Sequence, residues 1–374
     1  MHDVLAWKKV YASMANAVWD TGVPTFIAVR EEIDAILADF VNTQEQAAPG
    51  TEVASLFTTV RRLLFSNGKR LRPLLCVAGW QAAGAPGGSR AVLRVAAALE
   101  LFQTFALIHD DVMDDSDVRR GGPSAHRALA ADYVKAGGLR SRAETHGRGA
   151  AVLLGDLLLV WSDKMLAGAG LGTRAQARVL PLVDSMRAEL VYGQYLDLLS
   201  TGRIPQDVGA VLRVARYKTG KYTVERPLHL GIALADGGLQ LQQDCSAFAI
   251  PLGEAFQLRD DLLGVFGNPV QTGKPVGDDI REGKATVLLA LAAQSASKVE
   301  RRLLDALVGK PDLDCEDIGR VRTILESTGA RQQVEAMITS RRDAAFAALE
   351  RADLPPHVTE TLQQIVWMAT ERYA

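Results

Sequence analysis

Apolar residues return at three- and four-residue spacing along most of this chain, and a chain with that period buries its apolar side as helices. The pattern runs through residues 26–40, 53–65, 92–108, 175–200 and 334–349, where Ala and Leu, both strong helix formers, dominate. No run alternates apolar and polar residues as a half-buried strand would, and no Asn-Gly or Asp-Gly pair joins two strand-like runs. Glycine and proline clusters at 84–88, 121–123, 137–149, 168–172, 202–205, 237–238, 267–277 and 354–356 punctuate the helices. The polar, basic stretch 137–149 reads as a mobile loop. No linker separates two differently composed halves and no fixed-period repeat shows, so the expectation is an all-α fold: a single large helical bundle.

Charge and cysteine usage narrow the function. Lys plus Arg is 42, Asp plus Glu is 44 and the net charge is -2, which disfavours a protein that blankets nucleic acid. The three cysteines, Cys76, Cys245 and Cys315, are far apart and form no disulfide framework or paired metal knuckle. They suit a reducing cytoplasm. The most apolar stretches, 150–161 (interrupted by Asp156) and 285–293, fall short of the roughly 18–20 residues that a spanning helix needs, so no transmembrane segment is expected. Residues 1–20 carry two lysines but no apolar core with a cleavage site, and no signal peptide is read there.

The densest polar feature is Leu107-Ile-His-Asp-Asp-Val-Met-Asp-Asp-Ser-Asp117, which follows directly on an apolar run. On a helix Asp110 and Asp114 are i and i+4, and Asp111 and Asp114 are i and i+3, so their carboxylates share a face and repel. Carboxylates at a helix C-terminus also oppose the macrodipole. Cations relieve both penalties, and hard oxygen ligands that leave room for water and phosphate suit Mg²⁺. A second cluster, Phe256-Gln-Leu-Arg-Asp-Asp-Leu-Leu-Gly264, again places paired carboxylates, Asp260 and Asp261, after an apolar helical run. Either pair alone reads as a solvated cap; the two together suggest facing helices with divalent ions between them.

Basic residues occur in settings that suit phosphate. Gly68-Lys-Arg-Leu-Arg-Pro73 puts Lys69, Arg70 and Arg72 where a helix begins. Arg119 and Arg120 follow the first acidic cluster, Tyr217-Lys-Thr-Gly-Lys221 offers Lys218, Thr219 and Lys221, and the Gly-rich stretch 273–284 carries Lys274 and Lys284. Each alone reads as a surface turn. Gly273-Lys274 lacks the spaced glycines of a P-loop, so a nucleotide is not implied.

In this order the motifs resemble the trans-isoprenyl diphosphate synthases, or polyprenyl synthetases. The likeness rests on Asp110-Asp-Val-Met-Asp114 with Arg119-Arg120, on Asp260-Asp-Leu-Leu-Gly264 continuing to Gly277-Asp-Asp-Ile-Arg-Glu-Gly-Lys284, and on Gly68-Lys-Arg-Leu-Arg-Pro73. Gly193-Gln194 with Asp197, Lys218-Thr219 and Phe256-Gln257 fit other family positions. The resemblance implies a bundle of the isoprenoid synthase type with its active-site cavity between helices, a synthetase domain over 23–374 and an N-terminal extension over 1–22. It implies that Asp110, Asp111 and Asp114 ligate Mg²⁺ on one wall and Asp260 on the other, with Asp261 beside it. Three Mg²⁺ per active site are expected, with Mn²⁺ as a substitute. Arg119, Lys218, Thr219, Gln257, Lys274 and Lys284 are implied contacts of the allylic diphosphate or its metal shell; Lys69, Arg72, Gln103 and Arg120 are implied contacts of isopentenyl diphosphate. The family also implies a homodimer. Two positions depart from its pattern: Gly264 stands where Asp is usual, and Gln103 where many members have His.

The implied reaction joins isopentenyl diphosphate to a dimethylallyl, geranyl or farnesyl diphosphate in the cytoplasm. The leaving diphosphate needs cations aimed at its developing charge, and the allylic cation needs a dry apolar cavity. Phe105 lies five residues before Asp110, about 7.5 Å back along a helix, with the small Ala106 after it. By resemblance an aromatic at that floor position, with no insertion in the first motif, is the geranylgeranyl pattern, with farnesyl diphosphate the alternative product. A class I terpene cyclase would carry a different second metal motif, which is not found. A non-catalytic regulatory subunit would have lost its aspartates. A di-iron carboxylate bundle would need a Glu-x-x-His pair, which is missing.

Overall fold

A computed structural model describes residues 26–66, 68–85, 89–268, 277–310 and 312–371. The described chain is helical apart from one short hairpin, and it divides into two compact units.

The first unit holds the chain up to Ala177 together with Gly231–Asp236. Its helices are α1 (Phe26–Gln46), α2 (Ala54–Phe65), α3 (Leu71–Ala82), α4 (Arg90–Met113), α5 (Ala125–Lys135) and α6 (Ala143–Ala167). Helix α4 starts where the Ser89 side chain accepts a hydrogen bond from the Val92 N–H at 3.3 Å. By length and composition α4 could cross a membrane, although no transmembrane segment was expected from the sequence. Its most apolar window is 72% buried inside the fold, which is the behaviour of a core helix.

Helix α6 begins at Ala143, inside the stretch expected to be a loop. The polar side chains of that stretch lie on the outer face of a packed helix, and Gly147 lies on the inner one. A Cβ added at Gly147 would sit 2.2 Å from the His126 carbonyl oxygen on α5. One at Gly155 would sit 2.2 Å from His109 Nε2 on α4. These two bare positions let α6 approach both neighbours. The Tyr133 and His146 rings also stack, with centroids 4.1 Å apart.

Arg70 ties four of these helices together. It caps α3 with a left-handed backbone (φ 50°) and is 3% exposed. Its guanidinium donates to Asp34 of α1 at 2.8 Å, to Glu100 of α4 at 2.6 Å and to the Leu64 carbonyl of α2 at 2.6 Å. The expectation that Arg70 joins Lys69 and Arg72 in an anion site is corrected: two carboxylates and a carbonyl already hold its fork inside the fold.

The second unit holds Arg178–Leu230 and Gly237–Ala374. It contains most of α7 (Thr173–Ser200), α8 (Val208–Ala215), the start of α9 (Arg226–Leu234), α10 (Leu239–Phe266), the short α11 (Asp278–Glu282), α12 (Val287–Ser295), α13 (Lys298–Leu307), α14 (Cys315–Ser327), α15 (Ala330–Arg351) and α16 (Pro356–Thr370). Between α8 and α9 the residues Arg216–Glu225 form a π-helix. It lies directly on α10, where a Cβ at Gly253 would be 2.2 Å from the Gly220 Cα. Leu258 and Leu262 of α10, Leu288 of α12 and Val334 of α15 belong to one buried cluster.

Two stability predictions follow from the first unit. Gly147→Ala places a methyl group against backbone and should cost about 1–3 kcal/mol. Gly149→Ala, on the same helix with nothing within 4 Å of the new Cβ, should gain about 0.5–1 kcal/mol. Denaturant midpoints that moved in the same direction would contradict the packing account. Arg70→Met leaves Glu100 buried without its cation and should cost about 3–5 kcal/mol, most of it recovered in Arg70→Met/Glu100→Leu. A double variant as unstable as the single one would show that the ion pair is not what matters.

Candidate active site

The first unit carries the first acidic cluster at the end of α4. Asp110 and Asp111 lie in its last turn, and Asp114 caps it, its N–H bonding the Asp110 carbonyl at 2.8 Å. Asp111 has a side chain 1% exposed and accepts Arg119 Nε at 2.8 Å and Arg119 Nη2. Arg119 Nη2 also lies 3.7 Å from Asp110 Oδ2. Asp115 and Asp117 belong to a separate surface network: Asp115 accepts Arg148 at 2.8 Å, and Asp117 accepts Arg127 at 2.7 Å.

A hairpin aims the arginines. Strands Val118–Arg119 and Gly122–Pro123 pair antiparallel, and the two loop residues, Arg120 (φ 53°) and Gly121 (φ 76°), are both left-handed. That is the turn geometry that usually selects Asn-Gly. Here it is built on Arg-Gly, which lacks the Asn-Gly or Asp-Gly signature by which such a turn is recognised in a sequence. Arg119 turns to the aspartates, while Arg120 donates to the Leu63 carbonyl at 3.1 Å and to Ser66 Oγ at 3.3 Å. Burial pushes the Arg120 pKa down; nearby Glu100 opposes the shift, and nearby Arg70, Arg119 and Arg72 add to it. A Cβ at Gly68 would lie 3.0 Å from Arg120 Nη1, so the bare glycine makes room for that guanidinium. Lys69 and Arg72, both half-buried, flank Arg70, and Gln103 is buried on α4 one turn beyond Glu100. Phe105 and Ala106 are half-buried on a helix whose preceding turn is fully buried. The Phe105 ring packs between Phe102 at 5.2 Å and His109 at 4.7 Å. His109 itself is a packed residue, its Nε2 lying 3.1 Å from the Val152 carbonyl oxygen.

The second unit carries the other set. The motif read as a surface turn is the π-helix; the wider backbone spacing of such helices is frequent at functional sites. From it Lys218 Nζ meets Asp197 Oδ2 of α7 at 2.7 Å. Thr219 Oγ1 donates to Gln257 at 2.6 Å, and Gln257 donates onward to Asp261 Oδ1 at 2.8 Å. Lys221 is held by Glu189 at 3.0 Å, within a network that also contains Arg226. Lys284 Nζ lies 3.3 Å from Asp279 and 2.8 Å from Glu282. Lys274 lies outside the described residues. The sequence reading had assigned no role to Asp279; the signal available was Gly264, because a Cβ there would meet the Asp279 carboxylate at 1.8 Å.

Asp261 is 7% exposed, and burial pushes its carboxyl up to about 8, with Asp279 and Asp260 adding to the shift. A carboxyl in that state needs a neighbouring cation to stay ionised at neutral pH. Among the described residues no three His, Cys, Asp or Glu side chains form a complete metal cage. The donors present are carboxylate oxygens beside basic side chains. They fit Mg²⁺, which takes one or two carboxylates from the protein and shares the rest of its shell with water and phosphate.

The polyprenyl synthetase family model matches residues 54–326. Geranylfarnesyl diphosphate synthase of Aeropyrum pernix is 32% identical over 307 residues, 81% of this chain and 87% of that protein. Geranylgeranyl diphosphate synthase of Mycobacterium tuberculosis is 31% identical over 306 residues, 80% of each chain. A crystal structure of geranylgeranyl pyrophosphate synthase from Corynebacterium glutamicum, complexed with isoprenyl diphosphate and magnesium, superposes with a TM-score of 0.88 at 40% identity. It covers 92% of this chain and 99% of that one. With a helical fold, paired aspartates and flanking cations in the family's order, this chain belongs to the polyprenyl synthetase family.

Proposed function

We propose that this protein is a Mg²⁺-dependent trans-prenyltransferase that condenses isopentenyl diphosphate with a dimethylallyl, geranyl or farnesyl diphosphate. The product assigned is geranylgeranyl diphosphate, with farnesyl diphosphate the second choice. The observation that carries this reading is the repeated arrangement of paired carboxylates late in an apolar-faced helix with a basic side chain beside them: Asp110, Asp111 and Asp114 with Arg119 in one unit, and Asp260 and Asp261 with Lys284 in the other. The synthetase domain is assigned to 23–374, with 1–22 as an extension.

In this reading Asp110, Asp111, Asp114 and Asp260 hold three Mg²⁺, for which Mn²⁺ substitutes, and Asp261 supports Asp260. The ions supply positive charge that stabilises the leaving diphosphate. Arg119, Lys218, Thr219, Gln257, Lys274 and Lys284 bind and orient the allylic diphosphate, and Lys69, Arg72, Gln103 and Arg120 bind isopentenyl diphosphate. Charged residues that already face carboxylates, as Arg119 and Lys218 do, are pre-oriented and lose little side-chain entropy on meeting a phosphate. The apolar side of α4 excludes water from the allylic cation. The proton released after carbon–carbon bond formation passes to the departing diphosphate, and no strong protein base is required.

The C20 assignment rests on Phe105. Its ring is braced by Phe102 and His109, so it is a firm floor rather than a mobile one, and the small Ala106 leaves the adjacent position open. A homodimer is supported by exposed apolar side chains on α6: Val152, Leu153 and Val160 are 40%, 69% and 58% exposed. A cytoplasmic location is supported by three cysteines, all free.

Asp110→Ala and Asp260→Ala should each remove product formation from isopentenyl diphosphate and an allylic primer while melting temperature is kept. Near-normal turnover in either folded variant, with Mg²⁺ present, overturns the assignment. Phe105→Ala should lower the floor and shift products beyond C20 when they are separated by chromatography. An unchanged chain length in that variant places the floor elsewhere.

A further inference from the structure

Gly264 is the position at which the second aspartate motif departs from the family pattern. It lies near the end of α10, where a glycine weakens a helix relative to alanine, so the helix has no local reason to keep it. The structure supplies a reason from another element. A Cβ at Gly264 would lie 1.8 Å from Oδ2, 2.5 Å from Cγ and 3.2 Å from Oδ1 of Asp279. The space above Gly264 is occupied by the Asp279 carboxylate.

That carboxylate is poorly placed to move aside. Asp279 is 8% exposed and sits on α11, a helix of five residues bounded by two left-handed glycines, Gly277 (φ 75°) and Gly283 (φ 67°). The next residue, Ile280, is buried in the core cluster. The backbone is pinned by Gly309 N–H to the Ile280 carbonyl at 2.9 Å and by Gly202 N–H to the Gly283 carbonyl at 2.8 Å. From this fixed place Asp279 makes two contacts to Lys284: its carbonyl accepts the Lys284 N–H at 3.0 Å, and its Oδ1 lies 3.3 Å from Nζ. Glu282 Oε2 lies 2.8 Å from the same Nζ, an ion-pair distance. A lysine ends in a compact charge on a flexible four-carbon stem; two carboxylates from one short, pinned helix fix where that charge stands.

We propose that Asp279 is the positioning residue of Lys284 and that Gly264 is the seat that admits its carboxylate, so that the departure at 264 is a rearrangement of the site rather than the loss of a group. The inference rests on the reading of Lys284 as a contact of the allylic diphosphate. It makes a methyl group at 264 and the loss of the carboxylate at 279 equivalent: each takes the Asp279 carboxylate away from Lys284 Nζ.

Two measurements test it on the full chain. In thermal melts, Gly264→Ala should lower the melting temperature when Asp279 is present and raise it in an Asp279→Ala background, because the clash is then gone and only the helix preference remains. This readout needs no substrate. In steady-state kinetics, Gly264→Ala and Asp279→Asn should each raise KM for the allylic diphosphate by about tenfold and leave KM for isopentenyl diphosphate unchanged, and the double variant should be no worse than either single one. If Gly264→Ala lowers the melting temperature equally in both backgrounds, the seat is wrong. If the two KM effects multiply, or Asp279→Asn leaves the allylic KM unchanged, the positioning role is wrong; this arm stands on Asp279→Asn even where Gly264→Ala folds poorly. A wild-type chain that forms no prenyl product at all overturns the functional reading instead, and the melting-temperature test of the seat stands apart from it.

Discussion

A charge withdrawn from water must meet an opposite charge or a row of dipoles within bonding distance, and much of this protein's architecture meets that requirement. Arg70 is buried because Glu100, Asp34 and the Leu64 carbonyl surround it, and its three bonds fix the relation of α1, α2, α3 and α4 at one point. In the second unit Arg259 plays the same part, forking onto Glu335 at 2.7 Å and bonding the Thr370 carbonyl at 3.0 Å, so that α10, α15 and the end of α16 are held together. Glu254, also on α10, accepts both Arg216 and Arg341 at 2.8 Å. These pairs contribute less by their own attraction than by the penalty for separating them.

The carboxylates of the two aspartate motifs follow the same rule with one difference. Asp111 is matched by Arg119, Lys218 by Asp197 and Asp279 by Lys284, but Asp279 and Asp260 both bear on the buried Asp261, which is pushed towards its neutral form. Buried groups held in an uncomfortable ionisation state concentrate where a protein binds and reacts.

Close backbone approach is the second device. Gly147 and Gly155 admit α6 to its neighbours, Gly253 admits the π-helix to α10, and Gly264 admits a carboxylate. The π-helix uses such an approach: Thr219 reaches Gln257 of α10 at 2.6 Å while the Gly220 backbone lies against the same helix. One glycine therefore acts through packing and another through electrostatics, though each reads in sequence as punctuation within a helical pattern.

Helical period, the apolar run of α4 and the two aspartate motifs were legible in the residues because each is a local property: periodicity, propensity and spacing require no knowledge of distant partners. The order of the motifs was enough to reach the family for the same reason. What the residues left open depended on neighbours remote in sequence. The basic stretch before Gly149 looked like a loop because its inward glycine has no local meaning until α5 lies against it. Arg70 looked like a phosphate ligand because nothing adjacent to it reveals that Glu100, thirty residues on, takes its charge. Gly264 looked like a missing ligand until Asp279, carried in from another helix, filled the space. The sequence by itself determined the helices and the chemistry they can hold; tertiary structure decided which charges face one another and which are already paired, because the energy of a charge depends on what surrounds it and not on its place in the chain.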